Sequence, residues 1–434
     1  MMHTHRDVLW SSRPDAGARR EYYPHRLQAR RAEVLDVVGQ WSEAAAIYER
    51  GLAWAVSVDD HALAAESRIG LGWMMHQCGD SRRALELFRQ ASAWHRSEGD
   101  SSALNKSIGM MGNAHYRLGE YDQALACYQE KLAIAEAVGE RTAVASALGS
   151  ISNVHGDLND LPRSREYATR AYDLFQQMGD RFNLCIMMAN IGAIEHAEGN
   201  DQRAMDWLQR QAGLARELGS RVHYKAALSS MAVIHLERRE LDEAERLARE
   251  FLQISEEMGD RRGISFALEC MGDVNKLRQD YVAAAGCYRE ALRISRETGE
   301  KYQLAVILYS LAETLFNLGE YGEAQPLTEE SRSLAMEQKD GSTAHACRLL
   351  LAQIAFKREP AAGEAAFAAL LQDHPGDVER ADTRYYQFVL IGKREAGLQA
   401  LELYRKLNAA GADRTKDQRI AELERSLEKT TVNE

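Results

Sequence analysis

Proline is scarce: only 6 of 434 residues, with none between Pro162 and Pro326. A chain of several domains joined by linkers would use more, so the roughly three domains that this length ordinarily implies are not expected. Aromatic residues make up 7% and alanine is abundant, which disfavours sandwiches and barrels and favours helix. The six cysteines, Cys78, Cys127, Cys185, Cys270, Cys287 and Cys347, include no Cys-x-x-Cys pair. Neither a disulfide framework nor a zinc ribbon is expected, and a reducing cytoplasm is the simplest compartment. No apolar run approaches the ~20 residues that span a bilayer, so no membrane partner is expected. Positive charge is also short. With 54 Lys and Arg against 65 Asp and Glu, the formal net charge is -11, and nucleic acid is not expected as a partner. The segment 1–24 is Arg-rich but carries Asp7, Asp15 and Glu21 and has no apolar stretch; it reads as a flexible arm rather than a secretory signal.

What the sequence does have is a period. Gly99, Gly139, Gly179, Gly219, Gly259 and Gly299 fall 40 residues apart, each followed by Asp100, Glu140, Asp180, Ser220, Asp260 or Glu300 and then by Arg141, Arg181, Arg221, Arg261 or Lys301 in all but the first. Halfway between runs a second series, Gly39, Gly79, Gly119, Gly199 and Gly319, with Asn159, Arg239 and Gln279 filling its gaps. Glycine suits the left-handed residue that ends a helix, and an acid or serine after it faces the open N–H groups of the next. Each repeat is therefore expected to hold two helices of about 16 residues and two turns.

The apolar registers agree. Leu71, Met111, Ile151, Ile191, Met231, Met271, Leu311 and Leu351 share one position of the first helix, and the residue after each is small: Gly72, Gly112, Ser152, Gly192, Ala232, Gly272, Ala312, Ala352. In the second helix Ala44, Ala84, Ala124, Ala204, Ala244, Ala284 and Ala324 recur, joined by Ser164, and Tyr48, Phe88, Tyr128 and Tyr288 follow four residues later. The small and alanine positions are expected to face each other where the helices come closest. Pro162 falls at a helix start; Pro326 falls inside a second helix and is expected to bend it or displace its first turn.

The apolar-small pair of the first helix and the alanine-aromatic pair of the second, as in MGNAHYRLGEYDQALACYQEKL at 111–132, resemble the tetratricopeptide repeat, in the longer 40-residue form of kinesin light chains, Pins-type adaptors and the helical arrays of bacterial signalling regulators. The resemblance implies an all-α solenoid of antiparallel helix pairs, a right-handed superhelix of about ten units over 25–409, closed by a capping helix and tail over 410–434, where Ile420, Leu423 and Leu427 line one side. It also implies a concave wall of first helices that binds an extended peptide. By that analogy the wall carries Trp73, His76, Lys106, Asn113, Tyr116, Arg117, Asn153, Asn190 and His196, and further along Lys276, Glu313 and Phe316.

Asparagine amides donate and accept, so Asn113 and Asn153, one register in adjacent repeats, suit a peptide main chain. The family's carboxylate-clamping mode could take Asn153 and Asn190 as its amides, but Gly149, Ala226 and Ser230 hold its basic positions. His115, His155 and His235 share another register with Glu195, and His76 and His196 the next. Neighbouring first helices lie roughly 8–10 Å apart and zinc ligands sit about 2 Å from one centre, so these are expected to replace aromatics rather than hold metal. No nucleotide, metal or nucleophile motif is present. The expectation is a non-enzymatic scaffold or adaptor without cofactor; the alternative is a sensor module controlling a catalytic signalling partner such as a cyclase or signalling ATPase. The sequence does not specify the partner's identity or the oligomeric state.

Overall fold

The computed structural model describes residues 28–36, 40–298, 301–373, 376–410 and 414–432. The arm over 1–24, and Gly39, Gly299 and Glu300 of the two glycine series, lie outside the described residues. Every regular element among those described is an α-helix, in hairpins such as Ser101–Arg117 with Tyr121–Val138 and Arg141–Asp157 with Leu161–Met178. Two units can be distinguished, Met1–Tyr224 and Lys225–Glu434, and in each the same hairpin recurs. Helices pack on their neighbours in sequence, and first helices also touch the first helices of adjoining hairpins. No helix among the described residues is long and apolar enough to cross a membrane.

The turns follow from their residues. Gly99, Gly139, Gly179, Gly219 and Gly259 all take φ between 64° and 73°. Asn159, Arg239 and Gln279, which replace glycine in the second series, take the same left-handed conformation at 58°, 61° and 63°. The aspartates that follow these turns cap their helices, and the glutamate does not. Asp100 accepts from the Ala103 N–H at 3.0 Å, Asp180 from Asn183 at 3.1 Å and Asp260 from Gly263 at 3.0 Å, whereas Glu140 makes no side-chain cap. The extra methylene of glutamate carries its carboxylate past the N–H groups that aspartate reaches. The bases of the ladder reach instead to the far end of the second helix of their own hairpin: Arg141 donates to Gln177 at 2.6 Å, and Arg181 and Arg261 pair with Glu217 and Glu297.

Close packing explains the small register. A Cβ on Gly72, Gly112 or Gly272 would stand 2.7, 2.5 or 2.6 Å from the rings of Phe88, Tyr128 and Tyr288, so the aromatic of the second helix lies directly on the glycine of the first. Where both registers carry serine, Ser152 and Ser164 exchange hydroxyl-to-carbonyl bonds of 2.8 Å in each direction, satisfying two buried polar groups where alanine and glycine would have none. Pro326 does not break its helix, which runs unbroken over Tyr321–Glu337. The carbonyl it crowds belongs to Gly322, whose surroundings are open, and a glycine backbone can give way there. In the helix Arg414–Val432, Leu423 and Leu427 are buried against Tyr385 and Tyr404, with Ile420 partly buried beside them.

Candidate functional site

All nine candidate wall residues lie within unit Met1–Tyr224. Helical spacing places Lys106, Asn113, Tyr116 and Arg117 along one side of Ser101–Arg117. Two of the asparagines meet: Asn190 Nδ2 donates to Asn153 Oδ1 at 2.7 Å, linking first helices of successive hairpins. Asn113 is held within its own hairpin, where Tyr128 donates its hydroxyl proton to Asn113 Oδ1 at 2.7 Å. In both cases the carbonyl end of the amide is occupied from inside the protein. The NH2 groups of Asn113 and Asn153 are left as donors.

The remaining candidates divide between lining the wall and supporting it. Lys106 is exposed, and Arg117, also exposed, donates to the His76 carbonyl at 3.2 Å. Trp73 donates its indole N–H to Asp36 at 2.9 Å and stacks on His76 with ring centroids 5.6 Å apart. His76 itself is buried against Ser81 at 3.2 Å; it supports the wall instead of lining it, and burial, with the nearby Arg117 cation, lowers its pKa to about 4. Tyr116 is half-buried, bonded to Asp157, and burial raises its pKa well above the usual tyrosine value. His196 turns toward Asp201 at 2.9 Å.

The histidine register has its own local explanation. His115 pairs with Glu120 at 2.6 Å, His235 with Glu240, and His155 lies 3.7 Å from Asp160 while stacking on Tyr167. Each imidazole faces the acid five residues on, across the turn of its own hairpin. Where Glu195 replaces histidine, it receives Asn200 at 3.1 Å and Arg165 at 2.6 Å, so the same turn is held with the polarity exchanged. The stripe in unit Lys225–Glu434 differs: Lys276 is paired with Glu313 at 3.0 Å and Asp273 at 3.4 Å, and Phe316 packs on Tyr321.

One wall cation is not foreshadowed by the first-helix registers. Lys131 belongs to the second helix Tyr121–Val138, yet its ammonium donates to Ser146 on the next first helix at 2.9 Å. The signal for it lies in the second-helix register Ala91, Lys131, Ala171, where a lysine interrupts small residues.

Stacked helix hairpins joined first helix to first helix, with a polar first-helix face, define an α-solenoid repeat protein. Tetratricopeptide repeat profiles match residues 25–96, 102–177, 264–337 and 226–258, more than half of the sequence, and the chain belongs to the tetratricopeptide repeat family. Among solved structures, the apo quorum sensor NprR from B. thuringiensis is similar at 14% identity over 71% of this chain and 87% of its own, with a TM-score of 0.54. A Rap protein complexed with competence and sporulation factor is similar at 12% identity over 84% of this chain and 98% of its own, TM-score 0.53. Apo RapI is similar at 12% identity over 64% and 99%, TM-score 0.52. At these identities the likeness is one of fold. No curated protein matches the chain in sequence.

Proposed function

We propose that this chain is a non-enzymatic interaction protein whose first-helix wall in unit Met1–Tyr224 binds an extended peptide or protein segment. The observation that carries this reading is the amide row. Asn113 and Asn153 occupy one register in adjacent hairpins, and their carbonyl oxygens are already engaged by Tyr128 and Asn190. Their NH2 groups are thereby oriented as donors toward a ligand's main-chain carbonyls. An extended peptide presents such carbonyls at intervals, and preorganised side chains lose little entropy in meeting them. Trp73 and Tyr116, each anchored by its polar atom, supply apolar faces beside the row. His76, His196 and Arg117 complete the proposed contact region, His76 from beneath.

A regulatory role is the second reading, and the similar structures favour it. NprR is a quorum sensor, and the Rap protein was crystallised with competence and sporulation factor. On that reading the same wall receives the peptide and a catalytic signalling partner responds.

An array of blocked peptides, followed by fluorescence anisotropy on those retained, tests the wall. Replacing Asn113 and Asn153 together by Ala removes two net hydrogen bonds of about 0.5–1.5 kcal/mol each, so affinity is expected to fall about fivefold or more. Helical content should be unchanged, because Tyr128 keeps Ser150 as a hydrogen-bond partner. Unaltered affinity in the double variant rules the wall out.

A further inference from the structure

Lys131 occupies a second-helix register whose counterparts are all buried: Ala91, Ala171, Ala291 and Ser331 are small, and Gln211 and Phe251, though larger, carry no charge. A lysine there must carry its ammonium out of the packing between helices. Its exit is Gly109. A Cβ at Gly109 would stand 3.1 Å from Lys131 Cδ and 3.5 Å from Nζ, so the missing side chain opens the passage. The lysine main chain is fixed at the other end, where Asn105 donates to its carbonyl at 2.6 Å. At the end of the passage Nζ meets only the Ser146 hydroxyl at 2.9 Å, and among the described residues no carboxylate pairs with it. Desolvation holds the amine below the usual lysine pKa, without an acid to offset it.

This sets Lys131 apart from the other inward cations. Lys276 is neutralised by Asp273 and Glu313, and Arg419 is taken up by Asp382 and Tyr404. An ammonium partly withdrawn from water and given one neutral acceptor costs free energy unless an anion joins it. Lys106, exposed three residues before Gly109 on the same helix face, adds a second positive charge. Asn113 lies one turn beyond.

We propose that Lys131, delivered to the wall past Gly109 and assisted by Lys106, is a subsite for a carboxylate side chain of the bound peptide, so that the ligand is acidic at this point. This rests on the peptide-binding reading of the same wall. A charge-assisted contact of this kind is stronger than its neutral counterpart, and the ligand's acid completes the pairing that the fold leaves open.

The test takes the tightest acidic peptide from the blocked array and its counterpart with Asp and Glu changed to Asn and Gln, each with an amidated or free C-terminus. Wild-type protein is expected to bind the acidic peptide about tenfold more tightly than the amide form, whichever C-terminus is present. Lys131→Met should bind the two alike. Ser146→Asp, which leaves the lysine stem in place and sets a carboxylate beside its amine, should also abolish the preference, and decides the matter if Lys131→Met does not fold. An array without acidic binders, a preference set only by the free C-terminus, or a preference surviving Ser146→Asp would overturn the proposal. The Asn113→Ala, Asn153→Ala double variant separates the two readings: it should weaken both peptides, and failure to weaken either overturns the wall itself.

Discussion

Glu269 shows how a single side chain on a first helix sets a pH response. It lies in unit Lys225–Glu434 with Asp273 one turn away and Gln303 at 3.4 Å. Burial first, and the Asp273 charge second, raise its pKa from 4.5 to about 7. The folded protein therefore holds this proton more tightly than the unfolded chain. Its favourable contribution is complete below about pH 4.5 and disappears as pH rises to about 7. Glu269→Gln is expected to raise the melting temperature at pH 8 and to change it little at pH 4, followed by circular dichroism; an equal shift at both pH values would contradict this. His76 titrates in the opposite sense. Its lowered pKa, about 4, means that its contribution is present above about pH 6.5 and declines as pH falls through that interval. Neither shift was legible in the sequence, since both arise from burial that register alone does not measure. The histidines at 115, 155 and 235 were legible as a register, but their pairing with the acids five residues later became clear only with the turn geometry.

At the scale of the element, the hairpin is specified by a few contacts between its two helices. The ring of Tyr128 on Gly112 is one of them, and a Cβ at Gly112 would approach it to 2.5 Å. Gly112→Ala is expected to cost about 1–3 kcal/mol through overpacking. Gly286 provides the comparison. It lies inside the helix Tyr281–Thr298, where an added methyl would meet nothing within 4 Å, so Gly286→Ala should stabilise by about 0.5–1 kcal/mol through helix propensity. Urea unfolding of both variants checks the pair, and equal effects would mean that helix propensity, not the glycine–ring contact, governs the register. Glycine turns, the alanine register and the aromatic after it could all be read from the chain because they recur. The difference between aspartate and glutamate after the turn could not, because it depends on the reach of one methylene to an N–H group.

For the molecule as a whole, repetition accounts for the fold and departures from repetition account for the candidate site. Hairpins that bury the same registers add stability locally, unit upon unit, so the shared period is enough to specify the architecture. The wall is distinguished by residues that do not follow the period: Asn113 and Asn153 in only two of the repeats, Asn190 facing Asn153, and Lys131 where its counterparts are buried and uncharged. The asparagine row was visible because it lies on the first helix, where a groove-facing register was sought; Lys131 was missed because it enters from the second. The central claim is that the donor groups of Asn113 and Asn153 engage a ligand's main chain. Side-chain amide 15N resonances of these two residues, recorded while a peptide retained by the wild-type array is titrated in, address it most directly. The account predicts that both NH2 pairs shift and saturate together with the anisotropy change. Saturated binding with both pairs unmoved would contradict it.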